Sequence, residues 1–199
     1  MKFNLPGSRL TPLTLTLIVI CVIIALSSSF GRDMEAILPF LVSQQPGSQM
    51  PEILSGELWR LITPIFIHFG VIHILFNSLW LYDLGTTIEQ LKGAPHLGLL
   101  IGFTGVSSNL AEYFWSGPLF GGMSGVVYGL LGYVWILGRL NPRSPLHLHP
   151  QIAIMMMIWF VICWTGLVGG IANMAHTVGL LTGLLLGYLY SPNKKLLSR

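Results

Sequence analysis

Long apolar runs broken by short polar turns divide the chain into six segments: residues 13–30, 65–84, 97–114, 122–137, 152–168 and 172–190. Each comes close to the ~20 residues needed to cross the hydrocarbon core of a bilayer. Backbone groups in hydrocarbon find no water, so each crossing segment must be helical. The pattern therefore predicts an all-α integral membrane protein, a bundle of six transmembrane helices. Several of the segments are rich in glycine, which lets membrane helices approach closely. The first one follows Lys2 and Arg9 as a signal peptide would. It is longer than a signal h-region, however, and is read as a retained span. The connection 31–64 stands out by its length. It mixes apolar residues with Pro, Gly and Gln turns and ends in Trp59-Arg60, an aromatic–basic pair suited to a loop lying in the membrane interface. A merely ordered loop is the competing reading. The connections 90–96, 115–121, 138–150 and 169–171 are short, and no internal repeat of the transporter kind is visible.

Composition supports a lipid solvent. The 199 residues are 53% hydrophobic and only 9% charged, against roughly 25% charged in soluble proteins; the mean hydropathy is +0.72. One membrane domain is expected over residues 1–199, with no separate soluble domain. The net charge of +3 is small, and no basic run interleaves with aromatics, which excludes a nucleic-acid partner. The basic residues read instead as orientation signals. With the N-terminus inside, Lys2, Arg9, Lys92, Arg139, Arg143, Lys194, Lys195 and Arg199 fall on the cytoplasmic side, and only Arg32 and Arg60 fall outside. Both termini are then cytoplasmic. Cys21 and Cys163 lie in apolar runs and read as packing residues.

Ionisable and amide side chains inside such segments point to function. In the second segment, His73 and Asn77 are four apart and share a helical face. On the same helical count His68 points elsewhere, to bond a loop backbone. In the sixth, His176 precedes a ridge of Gly179, Gly183 and Gly187; in the fourth, Ser124 heads a ridge of Gly125, Gly129 and Gly132. Packing of the two ridges would bring Ser124 and His176 to one depth, with Tyr128 beneath the serine on the same face. A serine hydroxyl becomes a nucleophile when a neighbouring base takes its proton, and histidine can serve as that base near neutrality. No carboxylate is expected at that depth, since Asp83 lies at the far end of its segment, so the arrangement is read as a dyad. Gly121 and Gly122 free the backbone before Ser124, and His73 and Asn77 can donate to an oxyanion there. A metal is not expected. His96, His147 and His149 fall in or beside connections, and the other three histidines lack Cys or carboxylate co-ligands at metal-binding spacing. No cofactor is expected either.

These residues resemble a known family, the rhomboid intramembrane serine proteases, in its bacterial form. The matching motifs are Gly122-Met123-Ser124-Gly125, Ala175-His176-Thr177-Val178-Gly179 with Gly183, the set His68, His73 and Asn77, and Trp59-Arg60 in the first loop. They occur in the family's order over the whole membrane core. The resemblance implies a six-helix bundle with a long interfacial first loop, Ser124 as nucleophile and His176 as general base. It implies an oxyanion hole from His73, Asn77 and the Ser124 N–H beside Gly122, with Tyr128 supporting the histidine. Loop 166–173, with Asn173, corresponds to a cap, and Phe76 and Trp159 to a lateral gate. The sequence departs from the family in lacking the soluble N-terminal domain of many relatives and in placing Gly70 where they often have Ser.

The implied function is cleavage of peptide bonds in or near membrane spans, through an acyl-enzyme. The partners are transmembrane protein substrates and the bilayer, with homo-oligomerisation left open. The implied location is the bacterial inner membrane, with the site opening toward the periplasm. The alternatives are a small-solute transporter and a non-catalytic protein that binds membrane helices.

Overall fold

A computed structural model describes residues 11–47, 49–141 and 144–191. Of the residues used to orient the chain, Lys2, Arg9, Arg143, Lys194, Lys195 and Arg199 lie outside these. The described residues contain no strand. Their helices are α1 (Pro12–Ser27), α2 (Met34–Ile37), α3 (Pro51–Leu54), α4 (Val71–Trp80), α5 (Thr86–Lys92), α6 (Ala94–Ser116), α7 (Ser124–Leu140), α8 (Pro150–Trp164) and α9 (Asn173–Tyr190). A single π-helical turn, Leu81–Gly85, joins α4 to α5 into one continuous rod.

Helix starts follow local chemistry. Pro12 at the first position of α1 lacks the N–H that would have no partner there anyway. The next two, on Leu13 and Thr14, donate to the buried Glu89 carboxylate of α5 at 2.9 and 2.8 Å. After α1 the chain reverses through Ser29, Phe30 and Gly31, all at positive φ. The second predicted segment does not begin at residue 65. Residues Thr63–Phe66 form a tight 3-10 turn and Gly70 sits at φ +96°, so α4 begins only at Val71. Proline and a left-handed residue both interrupt an α-helix.

The long connection is folded rather than loose. Arg60 is buried, contrary to its expected surface pairing with Trp59. Its Nη1 donates to the carbonyls of Leu38 and Leu41 at 2.8 and 3.1 Å, and its Nε pairs with Glu57 at 2.5 Å. Trp59 stays exposed. Tyr113 of α6 adds a bond from its hydroxyl to the Gln45 carbonyl at 2.7 Å. A guanidinium with five donors is well suited to gathering several loop carbonyls at once.

The centre of the bundle is α7, buried continuously from Gly125 to Val134. It meets α9 glycine against glycine. A Cβ on Gly179 would strike the Gly125 carbonyl oxygen, and one on Gly183 the Gly129 carbonyl oxygen. Conversely, a Cβ on Gly132 would lie 2.6 Å from the Leu180 carbonyl oxygen. On its other side α7 rests on α6, with Ser108 over Gly125 and Thr104 over Gly129. By contrast α8 buries only Ile152, Met156 and Cys163.

Among the described residues no helix is long and apolar enough to cross a membrane. The apolar ones are short: α1 has 16 residues and α8 has 15, about 24 Å or less at 1.5 Å per residue. The longer α6 and α9 carry Ser, Asn, Glu and His inside them.

The backbone contact yields a paired test. Gly183→Ala is expected to cost about 3 kcal/mol, because the opposing carbonyl cannot move aside. Gly102→Ala, with nothing within 4 Å, is expected to be neutral or slightly stabilising. Thermal unfolding of the two purified variants measures the difference; equal melting temperatures would refute the ridge contact.

Candidate active site

Ser124 is the first residue of α7 and His176 the fourth of α9. The glycine ladders place them at one level, and Ser124 Oγ lies 2.8 Å from His176 Nε2. The imidazole is 5% exposed and packs on Tyr128, with ring centroids 4.7 Å apart. Tyr128 is held from the other side by its bond to the Met156 carbonyl at 3.1 Å and by Phe160. If Nε2 accepts the serine proton, Nδ1 carries the other ring proton; Nδ1 is buried with no bonding partner.

The backbone before Ser124 is pinned. Gly122 stands at φ +123° and donates its N–H to the Pro64 carbonyl at 3.0 Å. Met123 donates to His68 Nε2 at 3.4 Å, while His68 Nδ1 faces the Phe66 carbonyl at 3.1 Å. A carbonyl can only accept, so His68 carries its proton on Nδ1 and accepts at Nε2. His68 thus bonds loop backbone as expected, but from an irregular segment, so the helical count that turned it away from His73 does not apply. The two rings are 5.0 Å apart.

The same reasoning orients His73. Its Nδ1 accepts the Phe69 N–H at 3.3 Å, leaving Nε2 as donor. That Nε2 faces Gly122, where a Cβ would sit 2.7 Å from it and 3.8 Å from Ser124 Oγ. A hydrogen-bond donor therefore points into the corner beside the serine. Asn77 lies one turn further along α4, and its Nδ2 is engaged with the His73 carbonyl at 2.9 Å.

The remaining expected residues divide. Gly179 and Gly183 form the α7 contact. Asn173 begins α9 and donates to the Cys163 carbonyl at 3.0 Å, tying it to the end of α8. Phe76 of α4 and Trp159 of α8 are 55% and 48% exposed.

One expectation is corrected: a carboxylate does lie close to the histidine. Glu112 of α6 accepts the N–H of Ala175, the residue before His176, at 2.9 Å. The sequence carries the signal, an ionisable residue inside the apolar run 97–114. Glu112 bonds the helix backbone rather than the ring, so the imidazole has no carboxylate partner.

The class defined by these features is an all-helical bundle with a buried Ser–His pair at the start of its central helix. The family model for the rhomboid domain matches residues 55–193. The chain is 36% identical over 188 residues to the rhomboid protease GlpG of Salmonella paratyphi A (strain ATCC 9150 / SARB42), an alignment covering 94% of the chain and 66% of the relative. It is 37% identical over 191 residues to that of Salmonella choleraesuis (strain SC-B67), with the same coverage. The chain belongs to the rhomboid family, and it spans 66% of the length of these relatives.

The tight corner predicts that Gly122→Ala displaces His73. Labelling of Ser124 by a serine-directed fluorophosphonate should fall about 100-fold, the usual cost of one lost oxyanion donor, with helical circular dichroism unchanged. Labelling at the wild-type rate would contradict the contact.

Proposed function

We propose that this chain is an intramembrane serine endopeptidase that cleaves peptide bonds in or near the transmembrane segments of other membrane proteins. The observation that carries the reading is the 2.8 Å approach of His176 Nε2 to Ser124 Oγ beside an inward-facing donor. The similarity to proteins named rhomboid protease supports it.

In this reading Ser124 Oγ attacks the scissile carbonyl carbon as His176 Nε2 takes its proton. The oxyanion is met by His73 Nε2–H, by the Ser124 backbone N–H at the positive end of α7 and by the second amide proton of Asn77. His176 then gives its proton to the leaving amine as the C–N bond breaks, leaving an acyl-serine. Water, deprotonated by the same histidine, releases the acid and restores Ser124. Tyr128 keeps the imidazole facing the serine. Loop 166–173 caps the site, and Phe76 and Trp159 flank the path by which a substrate helix enters.

The membrane reading rests on inverted polarity. Glu89, Glu112, Asn109, His68 and His176 are buried, while large apolar side chains stand exposed along α1, α4, α8 and α9, among them Ile23, Leu26, Ile72, Ile154, Val161 and Leu185. A water-facing protein of this size does not offer so much apolar surface. The six segments form one domain that crosses the bilayer with both termini cytoplasmic, and the first loop lies in the interface. Shorter helices are matched by local bilayer thinning and interfacial anchors. The setting is a bacterial inner membrane with the serine toward the periplasmic side.

Ser124→Ala and His176→Ala are each expected to lower cleavage of a tagged single-span substrate at least 10⁴-fold, the loss on removing a serine-protease nucleophile or base being about 10⁶-fold. Both variants should insert and purify as the wild type does. Full activity in either would overturn the dyad.

A further inference from the structure

Glu112 is a buried ionisable group that this reaction does not use. It is 2% exposed. Its Oε2 accepts the Ala175 N–H at 2.9 Å, and its Oε1 accepts the Ser116 hydroxyl at 2.6 Å. The Ser116 hydroxyl also reaches the Glu112 backbone carbonyl at 3.3 Å. Among the described residues no cation pairs with the carboxylate. A carboxylate buried without a cation is stabilised where its surroundings supply positive potential. α9 itself offers that potential, since Ala175 is the third residue of that helix. A helix N-terminus carries about half a positive charge.

His176 is in the same first turn. The positive helix end would oppose the imidazolium that must form when His176 takes the serine proton. In a triad a hydrogen-bonded carboxylate stabilises that cation; here Nδ1 has no such partner. The titratable groups facing the imidazole from other elements are His73 of α4 and Tyr128 of α7. Tyrosine is neutral near pH 7, and the Phe69 bond fits a neutral His73.

Resting on the protease reading, we propose that Glu112 is a positioning residue that takes over the electrostatic task of the missing triad carboxylate. Its bond to Ala175 fixes the first turn of α9, and its charge offsets the positive helix end so that His176 can hold a proton.

The test compares wild type, E112Q and E112D as full chains in detergent, cleaving a tagged single-span substrate between about pH 5 and 9, the range in which histidine titrates. E112Q keeps the shape and an oxygen for the Ala175 N–H but loses the charge. Its kcat is expected to fall about tenfold with KM unchanged, and the acid limb of its profile should move to lower pH, because His176 without the nearby anion protonates less readily. E112D keeps the charge, so its acid limb should stay in place whatever its rate. Should E112Q fail to fold, the E112D limb decides: unmoved supports the assignment, moved to lower pH overturns it. Wild-type behaviour in E112Q, or a lower kcat in both variants with unmoved limbs, would overturn it as well. If the wild type itself cleaves nothing, the protease reading fails and this assignment with it.

Discussion

Gly179 and Gly183 approach the carbonyl oxygens of Gly125 and Gly129 so closely that no Cβ fits between α7 and α9. In lipid, apolar side chains gain nothing by leaving one apolar medium for another, so association rests on van der Waals packing and close backbone approach. A contact of that kind is rigid, because neither partner has a side chain that can turn aside. It therefore fixes the register of the two helices as well as their separation. Ser124 and His176, each in the first turn of its helix, inherit that register. In the proposed dyad a shift of even 1 Å between nucleophile and base would be expensive in rate, so the proposed site depends on this contact more than on any single bond within it.

Much of this was legible in the sequence because helical spacing is arithmetic. The ridges 125, 129, 132 and 179, 183, 187 name the faces that meet, and Ser124 and His176 follow from their position beside those ridges. The same arithmetic misled wherever the backbone was not helical. His68 lies before Gly70, in a segment broken by Pro64, and its position depends on bonds to Phe66 and Met123 rather than on a count of 100° per residue. Arg60 reads as an interfacial cation, but besides the nearby Glu57 its partners are carbonyls about twenty residues back in the chain, and no local pattern encodes that pairing. Glu112 was open to view as a charge within an apolar run. What the sequence does not carry is its target, the N-terminus of a helix 63 residues away.

Two buried carboxylates share one logic. Glu89 accepts the first N–H groups of α1, and Glu112 accepts one from α9. Helix starts leave N–H groups without intrahelical partners, and away from water each orphan is costly. Serine or aspartate at the cap position usually meets that need within the helix; neither α1 nor α9 has a side-chain cap of its own. A carboxylate from a neighbouring helix instead joins two elements while satisfying the donors.

That exchange bears on the proposed catalysis in a largely apolar interior. Low polarity magnifies every fixed charge and dipole, so the start of α9 would be a poor place for a base if its positive end were left unopposed. Placing the anion on the peptide group next to His176, rather than on the ring, leaves the imidazole free to stack on Tyr128 and bond Ser124. The capping that secures the helix then also sets the field in which its histidine must accept a proton. In the proposed enzyme, stability and reactivity at this point of the bundle would share the same pair of oxygen atoms.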